Sequence, residues 1–256
     1  MFDTHVHTKI STDSEMEIEE AIKSAQNKNI SLIITEHMDL KFPEEGLFCF
    51  DVDDYFREYS KYRGDNLLLG IEIGIKDDCL EESREVIKKG PFDYVIGSVH
   101  LIDNLDLYYA KYYEEKSKKE AYEKYLANML TEIQKYDFID SMGHIDYICR
   151  YAKYDDKEIY YRDFSDIIDE ILKTLIDKDK CIELNTRRLN DENAVKNLIN
   201  IYKRFRELGG KHITVGSDAH NTTAIGSDFH VAKEIVDLCD LKVVYFKDRK
   251  KEYEKI

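Results

Sequence analysis

The sequence predicts an α/β barrel of seven strand–helix units, with a cluster of polar residues at the C-terminal ends of the strands. Three observations carry this. Short β-branched runs alternate with longer amphipathic runs, the arrangement that builds a parallel sheet. Runs such as "LIIT" and "VIG" are apolar without polar alternation, as in strands covered on both faces. Six of the eight histidines stand at or just after the end of a predicted strand. Seven units favour a closed barrel over an open sheet, and 256 residues suit one domain spanning 1–256.

The elements follow in order. "MFDTHV" (1–6) reads as a strand and "EMEIEEAIKSAQNKN" (15–29) as a helix with apolar residues at helical spacing. "SLIITEH" (31–37) is a strand, "DVDDYFREYSKYR" (51–63) a helix and "NLLLGIEIGI" (66–75) a strand. "LEESREVIKKG" (80–90) is a short helix for which Gly90 is a plausible C-cap. "FDYVIGSVH" (92–100) is the fourth strand. The charge-rich "KYYEEKSKKE" (111–120) reads as a solvated loop leading into the long helix 116–136. "FIDSMGH" (138–144) is a short strand, followed by a loop and the helix 161–178. "CIEL" (181–184) is a strand, and the helix from Glu192 stops at Gly209 and Gly210. "HITVGSDAH" (212–220) is a strand and loop, 227–238 a helix, and "LKVVYF" (241–246) a possible eighth strand.

His5 and His7 end the first strand, His37 the second and His100 the fourth; His144 follows the fifth and His220 the seventh. The third strand carries Glu72 instead, Asp218 lies two residues before His220, and Asp13 lies just beyond the first strand. In a barrel these nine donors share the rim on which barrel enzymes build active sites. Imidazole and carboxylate suit Zn, Mn or Fe, and nine donors exceed the needs of one ion, so two or three divalent ions are expected. Each residue alone has an ordinary reading: a chance HxH, a buried carboxylate paired with lysine, a satisfied core histidine. Their coincidence at strand ends is what points to metal. His5 and His7, two apart on a strand, project together while Val6 faces the other way. His212 precedes the seventh strand and is expected to be structural; His230, inside a helix, is expected to pack or face solvent.

Composition excludes other classes. The net charge of −15 opposes nucleic-acid binding, which draws its affinity from basic surface. No run of eighteen apolar residues predicts a membrane span, and "MFDTHVHT" lacks the basic and apolar regions of a secretory leader. Cys49, Cys79, Cys149, Cys181 and Cys239 are scattered with no CxxC, which fits reduced thiols and a cytoplasmic location.

"HVH", "EH", "GIEIG", "GSVH", "GH" and "GSDAH", in this order over essentially the whole chain, resemble the polymerase-and-histidinol-phosphatase (PHP) superfamily. "DTHVHTKISTDSE", "FDYVIGSVHLID" and "MGHIDYICRY" resemble its stand-alone histidinol-phosphatase branch. The resemblance implies a distorted (β/α)7 barrel and a trinuclear site. His5, His7, Glu72 and Asp218 would hold one ion. Glu72 would bridge to a second ion held by His100 and His144, and Asp13, His37 and His220 would hold a third. Two departures stand out: the usual "TDH" is "TEH", with Glu36 beside His37, and the usual "EINTSGLR" is "ELNTRRLN" (183–190), with Asn190 in the arginine's place.

The expected activity is hydrolysis of L-histidinol phosphate by attack of a metal-activated hydroxide on phosphorus. The leaving alkoxide needs a proton, and Asp218 or a metal-bound water is expected to give it. Arginine is the expected phosphate clamp, because its planar fork fits phosphate: Arg150 first, then Arg187 and Arg188. The alternatives are another small-molecule phosphomonoesterase on the same scaffold, a nuclease or editing domain, and a non-catalytic metal-binding module.

Overall fold

The computed structural model describes residues 1–254. Its first half contains β1 (Phe2–Val6), α1 (Ile18–Lys28), β2 (Ser31–Met38), α2 (Val52–Tyr59), β3 (Leu67–Gly74), α3 (Leu80–Lys88), β4 (Tyr94–Ser98), β5 (Leu101–Ile102), β6 (Leu105–Asp106) and α4 (Lys118–Lys135). Then come β7 (Ser141–Met142), α5 (Tyr147–Tyr151), α6 (Ser165–Asp177), β8 (Cys181–Asn185), α7 (Glu192–Glu207), β9 (His212–Gly216), α8 (Phe229–Leu238), β10 (Lys242–Lys247) and β11 (Lys250–Tyr253).

Seven strands run parallel in the order β1-β2-β3-β4-β7-β8-β9, with β10 parallel to β9 and β11 antiparallel to β10. The sheet curls so that β1 meets β9 and the segment that follows it. Val6 and Ala219 form a parallel bridge, the His7 amide donates to the Ala219 carbonyl at 2.9 Å, and Thr4 Oγ1 donates to the Val215 carbonyl at 3.0 Å. The seam is thus a few bonds rather than a full ladder.

Period-two alternation sorts the strand residues. Leu32, Ile34, Leu69, Ile71, Val95, Ile182, Leu184, Ile213 and Val215 join the helices in one apolar layer. Ile33, Leu68, Tyr94, Ile96 and Cys181 point inward and meet Phe2, Val244 and Phe246. The strand β10, expected only as a possible extra, therefore helps fill the barrel's N-terminal end. The β10–β11 turn seals it: Arg249 Nε donates to Asp140 at 2.6 Å, and the Asp248 amide donates to Asp93 at 2.9 Å. Register then sets the next layer upward, pairing His37 with Glu72.

β1 breaks the alternation. Its register slips between Asp3 and Val6, which face Leu32 and Ile34, so β1 carries one extra residue, a bulge. Thr35 Oγ1 accepts the Val6 amide there at 3.1 Å. The bulge allows Phe2 to join the inner cluster while His5 and His7, of opposite parity, still face the site; Val6 packs outward as expected.

Several expectations need correction. The helix expected from 116 begins at Lys118, because Ser117 and Glu120 form a capping box. The stretch before it is not simply solvated, since Tyr112 and Tyr113 are buried. Gly90 does not cap α3 with a left-handed residue; a Cβ there would lie 2.1 Å from the Phe56 ring, so it is close packing that requires glycine. Gly209 does take a positive φ, 106°, beyond α7. The β5–β6 hairpin, α5 and β11 were not expected at all.

Candidate metal centre

Glu72 is the hub. Its Oε2 lies 2.8 Å from His37 Nδ1, 3.3 Å from His5 Nε2 and 3.4 Å from His7 Nε2. Its Oε1 lies 3.0 Å from His144 Nε2 and 3.4 Å from His100 Nε2. Five imidazoles from four chain segments thus meet one fully buried carboxylate. Asp218 flanks them, 3.5 Å from His7 Nε2 and 3.8 Å from His5 Nε2. His220 Nε2 stands 3.0 Å and His37 Nε2 3.7 Å from Asp13. All nine donors expected from the sequence therefore converge, with Asp13 the most exposed.

Buried leftover atoms say what the cluster suits. Among the described residues, His5 Nε2, His7 Nε2 and Glu72 Oε2 are buried without a hydrogen-bond partner. Four of the far ring nitrogens are occupied: His5 Nδ1 by Glu183 at 2.7 Å, His7 Nδ1 by Ser11 at 3.0 Å, His100 Nδ1 by Asp39 at 2.9 Å and His220 Nδ1 by the Asp218 carbonyl at 3.0 Å, whereas His144 Nδ1 has no partner among the described residues and His37 turns Nδ1 toward Glu72. A proton held at Nδ1 leaves the Nε2 lone pair facing inward, the usual state of a metal-ligating histidine. Donor triads include Glu72–His100–His144 and His5–His7–Glu72. The donor set fits divalent ions.

The electrostatics agree. Burial penalises charge on Glu72, but the surrounding imidazoles outweigh it and hold its pKa well below the usual value. Burial is likewise overcome at Asp218, chiefly by Arg150 and then His5, so it is also ionised. Burial opposes protonation of His37, yet Glu72 and Asp13 raise its pKa to about 10. His7 is driven the other way by burial and by His37 and His220. Carboxylate charge is concentrated where cations are to be held.

Sequence reasoning missed Asp39 and Glu183. Asp39 stands two positions beyond His37, at the end of a strand, which was the available signal; Glu183 is the one carboxylate within β8. Glu36, noted as a departure, is buried and does not face the centre. Its carboxylate accepts from the Thr8 amide at 3.0 Å and from the Ser11 amide at 3.1 Å, and Ser11 in turn bonds His7. Burial raises the Glu36 pKa to about 7. Asp218 sits at φ 54°, an unusual backbone state for a non-glycine residue.

The three arginines diverge. Arg150, on α5, has a nearly buried side chain and places Nη1 2.5 Å from Asp218 Oδ2, while its Nε and Nη2 have no acceptor among the described residues. Arg187 is half-exposed, 3.6 Å from Asp218 Oδ1. The Arg188 guanidinium pairs instead with Asp146, at 3.0 Å, and with Glu158.

A cavity of about 410 Å³ opens over the centre, lined by Asp13, His37, Asp39, His100, Arg187 and His220 together with Phe42, Phe48, Asp106, Tyr108, Tyr109, Tyr147 and Tyr151. A larger cleft of about 590 Å³ beside α1 contains none of the expected site residues.

His212 lies at the opposite end of β9, where its ring bonds the Tyr253 hydroxyl, and His230 is exposed on α8. His100→Ala is therefore expected to lower activity by about 10²-fold or more, as loss of an electrostatic group does, while His212→Ala leaves it within about twofold. Equal losses would contradict the rim arrangement.

Residues 3–187 match the PHP domain family. A probable histidinol-phosphatase of Clostridium acetobutylicum is 49% identical over 253 residues, covering 99% of both chains. The histidinol-phosphatase of Lactococcus lactis is 33% identical, over 91% of this chain and 89% of that one. The crystal structure of a histidinol phosphate phosphatase from Lactococcus lactis, complexed with Zn, L-histidinol and phosphate, superimposes with a TM-score of 0.93 at 31% identity, over 98% of each chain. With its expected motifs gathered on the barrel rim and this match over most of its length, the chain belongs to the PHP domain family.

Proposed function

We propose that this protein hydrolyses L-histidinol phosphate to L-histidinol and phosphate, using two or three divalent ions (Zn, Mn or Fe) held by His5, His7, Asp13, His37, Glu72, His100, His144, Asp218 and His220. The observation that carries the reading is the union of the Glu72 hub with Arg150, which is held by Asp218 and whose Nε and Nη2 are buried without acceptors among the described residues. The named relatives support the substrate.

Ions bound there would neutralise phosphoryl oxygens and lower the pKa of water. The chain's own groups do the rest. Arg150, anchored on Asp218, offers two donors to a phosphoryl group. Asp218 is ionised, so it serves as an ion holder and acceptor rather than as the acid for the leaving alkoxide. Asp106 and the tyrosines that line the cavity suit the ammonium and imidazole of histidinol. A small-molecule partner, action in the cytoplasm and no nucleic-acid substrate complete the proposal; among the described residues no helix is long and apolar enough to cross a membrane.

The test is metal analysis together with steady-state kinetics. L-histidinol phosphate is expected to be preferred by at least about tenfold, the scale of a modest pocket discrimination, and exhaustive chelation is expected to abolish turnover. Hydrolysis that survives chelation would remove the metal-dependent reading. Another small phosphomonoester turned over equally well would favour the second reading, a related phosphomonoesterase, which the diversion of Arg188 to Asp146 and Glu158 keeps open.

A further inference from the structure

The segment "ELNTRRLN" opens with Glu183, a fully buried carboxylate on β8. Its two oxygens face different parts of the centre. Oε1 lies 2.7 Å from His5 Nδ1. Oε2 accepts from the His144 backbone amide at 2.8 Å and from Asn185 Nδ2 at 3.2 Å. His5 belongs to β1 and His144 follows β7, so neither the chain nor strand pairing joins the two directly. The neighbouring backbone makes room for this contact: a Cβ on Gly216 would stand 2.5 Å from Glu183 Oε1 and 2.4 Å from His5 Cβ. An apolar side chain would fill the space without the cost of desolvating a charge.

We propose that Glu183 is a positioning residue of the metal centre, holding the His5 ring and the His144 backbone so that both imidazoles present Nε2 to Glu72. It acts through these residues, because its oxygens meet Nδ1 and a backbone amide rather than the atoms facing Glu72. The assignment rests on the metal-dependent reading above. Glu183→Gln keeps the volume but leaves one acceptor oxygen where two now serve His5 Nδ1, the His144 amide and Asn185 Nδ2, so either His5 or His144 loses its hold. Glu183→Asp keeps both acceptors on a shorter arm.

The experiment titrates the metal-free, full-length chain with Zn²⁺ against a chromogenic chelator, records the visible spectrum of the Co²⁺-loaded form, and measures thermal unfolding of the metal-free form. Glu183→Gln is expected to stay folded, to bind at least one Zn²⁺ about 10- to 100-fold more weakly, the usual effect of losing such a partner, and to shift the Co²⁺ spectrum. Glu183→Asp should recover part of the affinity. Asp140→Asn, which loses the Arg249 contact at the far end of the barrel, should melt earlier without changing Zn²⁺ affinity. A folded Glu183→Gln protein with wild-type Zn²⁺ affinity and Co²⁺ spectrum overturns the assignment alone. So does a metal-free Glu183→Gln protein that does not fold, since that marks a structural role. A wild-type chain that takes up neither ion brings down the metal-dependent reading, and this assignment with it.

Discussion

Glu72→Gln is expected to lower turnover of L-histidinol phosphate by about 10³-fold or more, roughly 4 kcal/mol of transition-state stabilisation, and to reduce the bound metal. The substitution barely changes volume, so packing is preserved. What it removes is the charge that five imidazoles surround within 3.4 Å. An amide has one acceptor oxygen, whereas Glu72 uses both, one toward His5, His7 and His37 and the other toward His100 and His144. Holding two ions at once would need both oxygens with their charge. Without that charge His5 and His37 also lose the carboxylate that does most to favour their protonated forms, and breaking a buried charge network is costly. Elemental analysis with single-turnover assays reads the effect. A Glu72→Gln protein with wild-type metal content and activity within about tenfold of wild type, a change of only about 1.4 kcal/mol in the barrier, would remove Glu72 from the centre of the mechanism.

The rim was legible in the sequence because strand ends of a barrel are one place in space. Once the strands were read, the positions of His37, Glu72 and His100 followed from element order alone. Long amphipathic segments such as α4 and α7 were equally plain, since their periodicity runs over several turns. What stayed hidden depends on contacts between distant segments. The β1 bulge inserts one residue between Asp3 and Val6, and no local pattern announces it. The two-residue strands β5 and β6 and the five-residue α5 are too short to show a period. Tyr112 and Tyr113 lie in a charged stretch yet are buried, because tertiary packing overrides local polarity. Asp39 and Glu183 escaped because a carboxylate near a strand end can serve as a ligand, a partner or a solvent-facing charge. Only the 2.9 Å and 2.7 Å contacts to His100 and His5 decide the matter.

Room beside those contacts is itself a constraint. Gly216→Ala is expected to cost about 1–3 kcal/mol, as overpacking of a filled interior does, because the added methyl meets both the His5 side chain and Glu183. Thermal unfolding of the metal-free protein measures it. An unchanged melting temperature would mean that the layer holding His5 is loose enough to yield, which would weaken any account built on fixed imidazole geometry.

Arg150→Lys is expected to raise the inhibition constant for inorganic phosphate by about 10- to 100-fold, the scale of losing a charge-assisted bidentate contact, and to lower kcat/KM by at least as much. The positive charge survives, so a purely Coulombic role would be largely preserved. The guanidinium has more to lose: Nη1 is fixed on Asp218 at 2.5 Å while Nε and Nη2 are buried and free among the described residues. A lysine ammonium that keeps the Asp218 contact has no rigid fork with which to meet two phosphoryl oxygens. The guanidinium also lies over the Tyr147 ring, 5.3 Å from its centroid, which helps fix its plane. Arg188→Lys is the internal comparison. Its partners are Asp146 and Glu158, so the phosphate inhibition constant should stay within about twofold while stability falls by about 1 kcal/mol or more, in line with loss of a partly buried, charge-assisted pair. Should Arg188→Lys weaken phosphate binding and Arg150→Lys leave it intact, the clamp lies on the "ELNTRRLN" loop after all, and Arg150 serves only to hold Asp218.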